Sequence, residues 1–116
     1  MFQAKPRWYT LGMNDCIFCS IANGDESGLF WNNDVAAAFK SINPEAKIHM
    51  LVVPKQHVKN IDALDDEQLA GKLLMAVREV IKRLGLVEAN KVLVQGIEIP
   101  HLHFHVMSDR RYKAKD

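Results

Sequence analysis

The sequence has no long apolar run and no strong excess of charge of either sign. A membrane-spanning helix needs roughly 20 consecutive apolar residues, and no stretch of this 116-residue chain resembles one, so we expect no membrane partner. The 15 basic and 14 acidic residues leave a net charge of +1. Domains that bind DNA or RNA usually carry a basic face. The short basic cluster at 110–115 is expected to be a solvated tail, so no nucleic-acid partner is expected either.

Cysteine is also scarce, since only Cys16 and Cys19 occur. The N-terminal residues lack the apolar segment and small-residue cleavage site of a secretory signal. We therefore expect a cytoplasmic protein whose thiols stay reduced. A local disulfide or a redox pair would be possible, but no thioredoxin-like strand–CxxC–helix pattern surrounds the two cysteines. Metal binding is the preferred interpretation of the pair.

The remaining composition is that of an ordinary globular domain. Hydrophobic residues make up 48% of the chain and charged residues 25%, and a chain of this length can bury a core without disulfides. We predict an N-terminal extension at 1–12, one domain at 13–111 and a C-terminal tail at 112–116.

Hydrophobic patterning predicts a mostly antiparallel α+β fold with one short and one long helix. Asp65 is predicted to cap the long helix, with Gln68 completing a capping box, and Gly85 to end it. Consecutive strands with few helices between them favour an antiparallel sheet. The predicted elements are a helical turn at 16–24, two strands within 28–40, a strand at 48–54, the long helix at 65–84, and strands at 91–96 and 99–107.

Three of the five histidines occupy alternate positions in the segment HLHFHVM, at His101, His103 and His105. On a strand, alternate side chains point to the same face, so the three imidazoles would share one face while the intervening apolar residues pack into the core. Exposed histidines on a sheet surface would be harmless, but three of five in this arrangement favours a function. Neutral imidazole serves both as a metal ligand and as a catalyst, so the pattern alone does not separate the two.

A zinc site offers one interpretation of the cysteines. The CxxC spacing of Cys16 and Cys19 lets two thiolates bind one Zn²⁺, and four-coordinate zinc needs two further ligands. His57, in the segment PKQH, and His101 are the candidates. The alternatives are two buried thiols and an exposed loop histidine. We favour a structural zinc site with these four ligands.

Several segments together resemble the histidine triad (HIT) superfamily. HLHFHVM fits its His-φ-His-φ-His-φ-φ signature, where φ is apolar, and the segments at 15–25 and 37–58 resemble its N-terminal and central blocks. The similarity extends over about 14–107 and is greatest to small nucleotide-binding members related to adenosine phosphoramidases. It implies a homodimeric HIT-like α+β fold that binds a purine nucleotide or nucleoside phosphoramidate. It also implies hydrolysis or transfer at the α-phosphate through a nucleotidyl-histidine intermediate.

The resemblance also implies a role for each histidine. His103 matches the nucleophile, His105 a contact to the phosphate or the leaving group, and His101 a residue that orients the site. His49 matches the family's fourth histidine. In zinc-bearing members the metal ligands match Cys16, Cys19, His57 and His101.

The expected substrate contacts include two departures from the family pattern. Ser41 stands where many relatives have an acidic residue that holds the ribose diol, and Gln95 is the nearest counterpart of an asparagine. Ile17, Phe18 and Phe39 are candidates for the purine slot, although ordinary core packing would also explain them. Two alternatives to the enzyme remain, the first of them motivated by Ser41 and by the compact segment at 96–100, which replaces a longer loop of the relatives. One is a nucleotide-binding or interaction module with weak or lost catalysis and a structural zinc site. The other is a zinc protein whose triad serves only the metal.

Overall fold

The computed structural model describes residues 16–95 and 99–109. The predicted extension at 1–12 and tail at 112–116 lie outside this part of the chain. The described elements are α1 (Ile17–Ala22), β1 (Trp31–Asn32), β2 (Ala36–Lys40), β3 (Ile48–Pro54), α2 (Glu67–Leu84), β4 (Lys91–Val94) and β5 (Phe104–Ser108), with 3₁₀ turns at Glu26–Gly28 and Ile61–Ala63. This architecture confirms the predicted α+β class. Neither α-helix in the described ranges has the length and apolar character needed to cross a membrane.

The five strands form one sheet in the order β1-β2-β3-β5-β4, and all neighbouring strands are antiparallel. The central strand, β3, is apolar along most of its length and pairs with β2 on one side and β5 on the other. Its burial on both faces matches the continuous hydrophobicity of its sequence. The sheet register places Leu51 of β3 and Leu93 of β4 opposite His105 of β5.

The long helix α2 begins one residue later than its predicted cap implies. Asp66, rather than Asp65, occupies the N-cap position, and its carboxylate accepts hydrogen bonds from the backbone N–H groups of Gln68 and Leu69. Two aspartates in a row offer two caps, and the second is used because its carboxylate reaches these two N–H groups. Gly85 ends the helix with φ = 74°, as predicted.

The sheet separates two hydrophobic clusters. One face packs against α2, through its buried residues Leu73, Ala76, Val77 and Val80. The apolar residues of the histidine segment, Leu102, Phe104 and Val106, belong to this cluster, as predicted. On the opposite face, Phe18 and Ala22 of α1 pack against Ala37, Phe39, Leu51 and Val53. These four residues alternate along β2 and β3 with the residues of the same strands that belong to the cluster facing α2. The face that α2 leaves uncovered therefore carries α1.

The predicted strand at 99–107 is wrong in its first half, because β5 begins only at Phe104. Pro100 has no N–H to offer a sheet ladder. The N–H of His101 turns back to the carbonyl of Ile99 at 2.7 Å, and that of Leu102 bonds to the carbonyl of Val58 at 2.7 Å. The first bond closes a local turn, and the second attaches the segment to the loop after β3 instead of to a neighbouring strand. His101 and His103 thus precede the strand, and only His105 lies on it.

Candidate active site and metal centre

The CxxC turn orients both thiols toward one point. Cys16 is the N-cap of α1, and its Sγ accepts a hydrogen bond from the backbone N–H of Cys19 at 3.2 Å. Asn23 then ties the end of α1 to the end of β3, because its side-chain amide donates to the carbonyls of Cys19 and Lys55. Gly24 follows at a place where a Cβ atom would come within 2.8 Å of the Ser20 carbonyl oxygen. The helix is thereby held against the sheet.

All four predicted metal ligands meet at this point. Sγ of Cys16 lies 3.1 Å from Nδ1 of His101, and Sγ of Cys19 lies 3.1 Å from Nδ1 of His57 and 3.3 Å from Nδ1 of His101. The four ligand atoms all lie within 4.8 Å of one another. The edges of a tetrahedron around zinc with N and S ligands are about 3.6 Å long, so these atoms need only small shifts to surround an ion.

The protonation of the histidine ligand also fits a metal. Nε2 of His101 donates to the carbonyl of Pro54 at 2.8 Å, so the lone pair of the neutral ring is on Nδ1, facing the sulfurs. Burial lowers the pKa of His101 to about 4, and this keeps the ring neutral. Burial, and then its neighbour Cys16, raises the pKa of Cys19 to about 12, so a thiolate at Cys19 needs a cation beside it. A backbone carbonyl that fixes the tautomer of a ligating histidine is a common feature of metal sites.

The ring of His103 lines the cavity beside α1, and among the described residues only one of its two nitrogens, Nδ1, has a hydrogen-bond partner. Its Nδ1 donates to the carbonyl oxygen of His101 at 2.7 Å. Because a carbonyl can only accept, the proton of the neutral ring is on Nδ1 and the lone pair is on Nε2. The edge of the Phe18 ring packs against the imidazole, with ring centroids 5.1 Å apart. A buried imidazole that holds its Nδ1–H in this way directs the lone pair of its neutral form to Nε2, as a nucleophile or base requires.

His49 and His105 form a hydrogen-bonded pair, and one backbone N–H group determines the tautomer of both rings. The N–H of Glu45 donates to Nδ1 of His49 at 3.0 Å, so the neutral His49 ring carries its proton on Nε2 and donates it to Nδ1 of His105 at 2.8 Å. His105 therefore carries its own proton on Nε2. That atom is buried and has no hydrogen-bond partner within the described residues. The pair thus leaves one N–H donor available for a ligand.

Burial lowers the pKa of both His49 and His105. For His105 the neighbouring imidazoles His103 and His49 lower it further, and the carboxylate of Glu45 acts in the opposite direction for both rings. The net effect keeps both rings neutral near pH 7. The tautomers that the hydrogen bonds require are tautomers of neutral rings, so the geometry and the pKa shifts agree.

A cavity of about 270 Å³ is lined by both His103 and His105. Every residue that was predicted to contact the substrate also lines it, and apolar side chains form much of its wall. Ser41 lies at one side, where its Oγ accepts a hydrogen bond from the N–H of Asn43. The residues that line the cavity are Ile17, Phe18, Ile21, Phe39, Lys40, Ser41, Ile42, Asn43, Glu45, His49, Leu51, Gln95, Ile99, His103 and His105. A small number of polar groups in an apolar pocket is typical of a small-molecule site.

Several cavity residues were not among the predicted site residues, and Glu45 and Ile99 are two of them. Glu45 stands in the loop after β2 and Ile99 in the segment before the triad, and neither position shows a periodicity that would reveal it. The spacing of four residues between Glu45 and His49 was the one available signal, because it allows a turn that returns the backbone to the ring. Glu45 and Gln95 also line a second, neighbouring cavity of about 610 Å³.

Comparison with known proteins agrees with this geometry. The sequence model of the HIT domain matches residues 24–112. A HIT-like protein of Methanocaldococcus jannaschii is 37% identical across 79% of this chain and 77% of its own length. The protein HitA of Neisseria gonorrhoeae is 35% identical across 82% of this chain and 96% of its own. The chain belongs to the HIT domain family.

Solved structures show the same fold. A histidine triad protein from Clostridium difficile superposes with a TM-score of 0.74 at 32% identity, covering 82% of this chain and 90% of that one. A HIT family hydrolase from Legionella pneumophila superposes with a TM-score of 0.74 at 27% identity, covering 81% of this chain and 92% of that one. The HIT-like fold expected from the sequence is confirmed.

Proposed function

We propose that this protein is a hydrolase or transferase acting at the α-phosphate of a purine nucleoside phosphoramidate or related mononucleotide conjugate. One observation carries the proposal. The cavity presents an imidazole lone pair on Nε2 of His103 and, from the adjacent ring, an N–H donor on Nε2 of His105. A nucleophile beside a donor that lacks a hydrogen-bond partner within the described residues suits attack on a phosphoryl group whose oxygens need hydrogen bonds. A solved relative is described as a HIT family hydrolase.

In the first step, Nε2 of His103 attacks the α-phosphorus and a new N–P bond forms. The bond from phosphorus to the leaving nitrogen breaks, and the nitrogen takes the electron pair together with a proton from solvent. The ring of His103 becomes positively charged. Its Nδ1–H already points at the carbonyl of His101, which stabilises this charge and prevents the ring from rotating.

His105 stays neutral during this step and acts as a hydrogen-bond donor. Its Nδ1 already accepts from His49, so complete transfer of its Nε2 proton would leave an imidazolate at His105, or at His49 if the shared proton followed. A neutral imidazole that donates one hydrogen bond stabilises the charge on the phosphoryl oxygen without proton transfer. His49 therefore sets the tautomer of His105.

In the second step, water attacks the phosphorus of the nucleotidyl-histidine. The N–P bond breaks, its electron pair returns to Nε2 of His103, and the water proton goes to solvent. The proton taken up in the first step is thereby returned. The sum is one phosphoramidate plus one water giving one nucleoside monophosphate and one amine, with the protein unchanged.

The apolar side of the cavity suits the purine, with Ile17, Phe18 and Phe39 forming the slot. Ser41 and Gln95 are the polar groups available to the sugar and phosphate. A serine offers one hydroxyl where a carboxylate would accept two hydrogen bonds, so we expect weaker selection for the ribose diol than a carboxylate would give.

The four-ligand cluster is proposed to hold a structural Zn²⁺. Cys16, Cys19, His57 and His101 are the ligands, and three of the four are buried. When bound, zinc supplies a rigid link between α1 and the segment before β5. We further propose a cytoplasmic homodimer, in keeping with reduced thiols and with the exposed edge strand β4, whose Val92 is 39% exposed.

The test is turnover of a fluorogenic adenosine phosphoramidate by the wild type and His103→Ala, followed by mass spectrometry of wild-type enzyme quenched in denaturant at alkaline pH, where the N–P bond to histidine survives. We expect a nucleotidyl adduct on His103 and a loss of at least about 1,000-fold in kcat/KM for the variant. His103→Asn, which keeps a polar group in the same place, should be equally inactive. Substantial turnover by either variant would rule out His103 as the nucleophile.

One observation favours a second candidate, a nucleotide-binding module with weak catalysis. The Oγ of Ser41 already accepts a hydrogen bond from Asn43, which reduces what it can offer a ligand. Calorimetric binding of adenosine monophosphate together with no turnover across a panel of phosphoramidates would favour this candidate. Efficient turnover would exclude it.

A further inference from the structure

The short helix α1 contributes to both the metal cluster and the cavity. Cys16 and Cys19 supply the two sulfurs, while Ile17, Phe18 and Ile21 line the cavity between His103 and His105. The helix has only six residues, far fewer than an isolated helix needs for stability. Its position therefore depends on the contacts that it makes at these two sites.

Phe18 has ring contacts with both sites. Its ring meets the His101 ring edge-on, with centroids 6.2 Å apart, and the His103 ring with centroids 5.1 Å apart. A third edge contact, at 5.5 Å, joins it to Phe39 in the cavity wall. Phe18 is 6% exposed, so a displacement of its ring requires one of these neighbours to move.

His101 provides a second connection between the sites. Its Nδ1 faces the two sulfurs, and its carbonyl oxygen holds the Nδ1–H of His103. The ring is fixed at its far side by the bond from Nε2 to the Pro54 carbonyl. An ion bound at Nδ1 would therefore restrain the residue whose backbone orients His103.

We infer that binding of zinc at the four-ligand cluster and binding of a purine mononucleotide in the cavity are positively coupled, with Phe18 as the positioning residue that links them. The inference rests on the proposed function, because it takes the cavity to be the nucleotide site. Zinc fixes α1 and the segment containing His101, and the nucleotide requires both in place. The first ligand to bind therefore lowers the ordering cost of the second.

The experiment measures both directions of the coupling on the full chain. Adenosine monophosphate is titrated calorimetrically into zinc-loaded and chelator-stripped protein, and zinc affinity is measured by competition with a chromophoric chelator, with and without the nucleotide. We expect affinity for the nucleotide to rise about tenfold when zinc is bound. Zinc affinity should rise by the same factor in the presence of nucleotide, because coupling between two binding sites is reciprocal.

Two phenylalanine substitutions separate the role of Phe18 from a general loss of stability. Phe18→Leu keeps an apolar side chain but removes the ring contacts, so the coupling factor should fall well below the wild-type value, to the part carried by His101. Phe30→Leu is the matched control, since Phe30 is 41% exposed and is not among the residues lining the cavity, and it should keep the full factor. ¹⁵N spectra of the His103 ring should show the Nδ1–H tautomer in zinc-loaded wild type and a mixture in Phe18→Leu.

Each outcome bears on the inference. Equal nucleotide affinity with and without bound zinc overturns the coupling but leaves the hydrolase proposal standing, because the His103→Ala test is independent of zinc. A full coupling factor in Phe18→Leu overturns the role of Phe18. No nucleotide binding in either form overturns the coupling and also counts against the proposed substrate. If stripping zinc unfolds the chain, an unchanged His103 tautomer in zinc-loaded Phe18→Leu overturns the role of Phe18.

Discussion

The backbone carbonyl of His101 accepts the Nδ1–H of His103 at 2.7 Å, while the side chain of His101 faces the two thiols. One residue thus contacts the candidate metal site with its ring and orients the candidate nucleophile with its backbone. Because every residue type has a backbone carbonyl, this second contact does not depend on the histidine side chain. Substitutions at His101 should therefore affect metal binding directly and His103 only through the position of the backbone.

The first prediction concerns the metal. Cys19→Ser replaces a soft thiolate by a poor zinc ligand, so we expect zinc content to fall from about one ion per chain to near zero. The free energy of unfolding should fall by several kcal/mol, since metal binding to the folded state stabilises it. Metal analysis and urea denaturation measure the two effects. Ser20→Ala, an exposed change in the same helix, is the control and should alter neither. Unchanged zinc content in Cys19→Ser would show that the four-ligand site is wrong.

The second prediction concerns the pair formed by His49 and His105. His49→Phe removes the donor to Nδ1 of His105, so the His105 ring can take either tautomer and its Nε2 donor is no longer fixed. We expect kcat to fall about 10–100-fold, the equivalent of one hydrogen bond in the transition state, with a smaller change in KM. His49→Gln keeps a donor and should retain more activity. Equal activity in wild type and His49→Phe would argue against the pair.

Some parts of this site were predictable from the sequence, and others were not. The grouping of Cys16, Cys19, His57 and His101 was predictable because few residue types bind metal ions and the chain has few cysteines and histidines. The hydrophobic pattern of β3 and α2 gave their positions because burial acts over many residues in each element. The start of β5 was not predictable, since it depends on the bond from Leu102 to Val58, which joins segments distant in sequence. The tautomers of His49 and His105 depend on the loop containing Glu45, whose conformation has no periodic signal.

The third prediction concerns the cap of α2. Asp66→Ala should reduce the free energy of unfolding by about 1 kcal/mol, because it leaves the N–H groups of Gln68 and Leu69 without their side-chain acceptor. Asp65→Ala is the matched control, since it removes the neighbouring carboxylate without removing that acceptor. It should change stability by less than about half a kcal/mol. Urea denaturation of both variants measures the difference, and a larger effect at Asp65 would contradict the assignment of the cap.

The fourth prediction concerns pH. Burial lowers the pKa of His49 and His105 in the folded protein below the ordinary value of 6.5, so below pH 6.5 the unfolded chain binds more protons at these rings than the folded one. Stability from this source is complete above pH 6.5 and is lost as the pH falls through the lowered pKa values. Urea denaturation at several pH values from 8 to 5 should show this decline.

The double variant His49→Gln/His105→Gln separates this effect from the titration of other groups. It lacks both rings but keeps the candidate zinc ligands, so loss of metal in acid contributes equally to its stability curve and to that of the wild type. We expect the free energy of unfolding to decline less steeply between pH 6.5 and 5 in the double variant. The reason is that the two imidazoles are no longer present to take up protons on unfolding. Identical slopes would mean that the two rings have ordinary pKa values in the folded protein. That result would contradict the neutral tautomers from which the role of His105 as a donor follows.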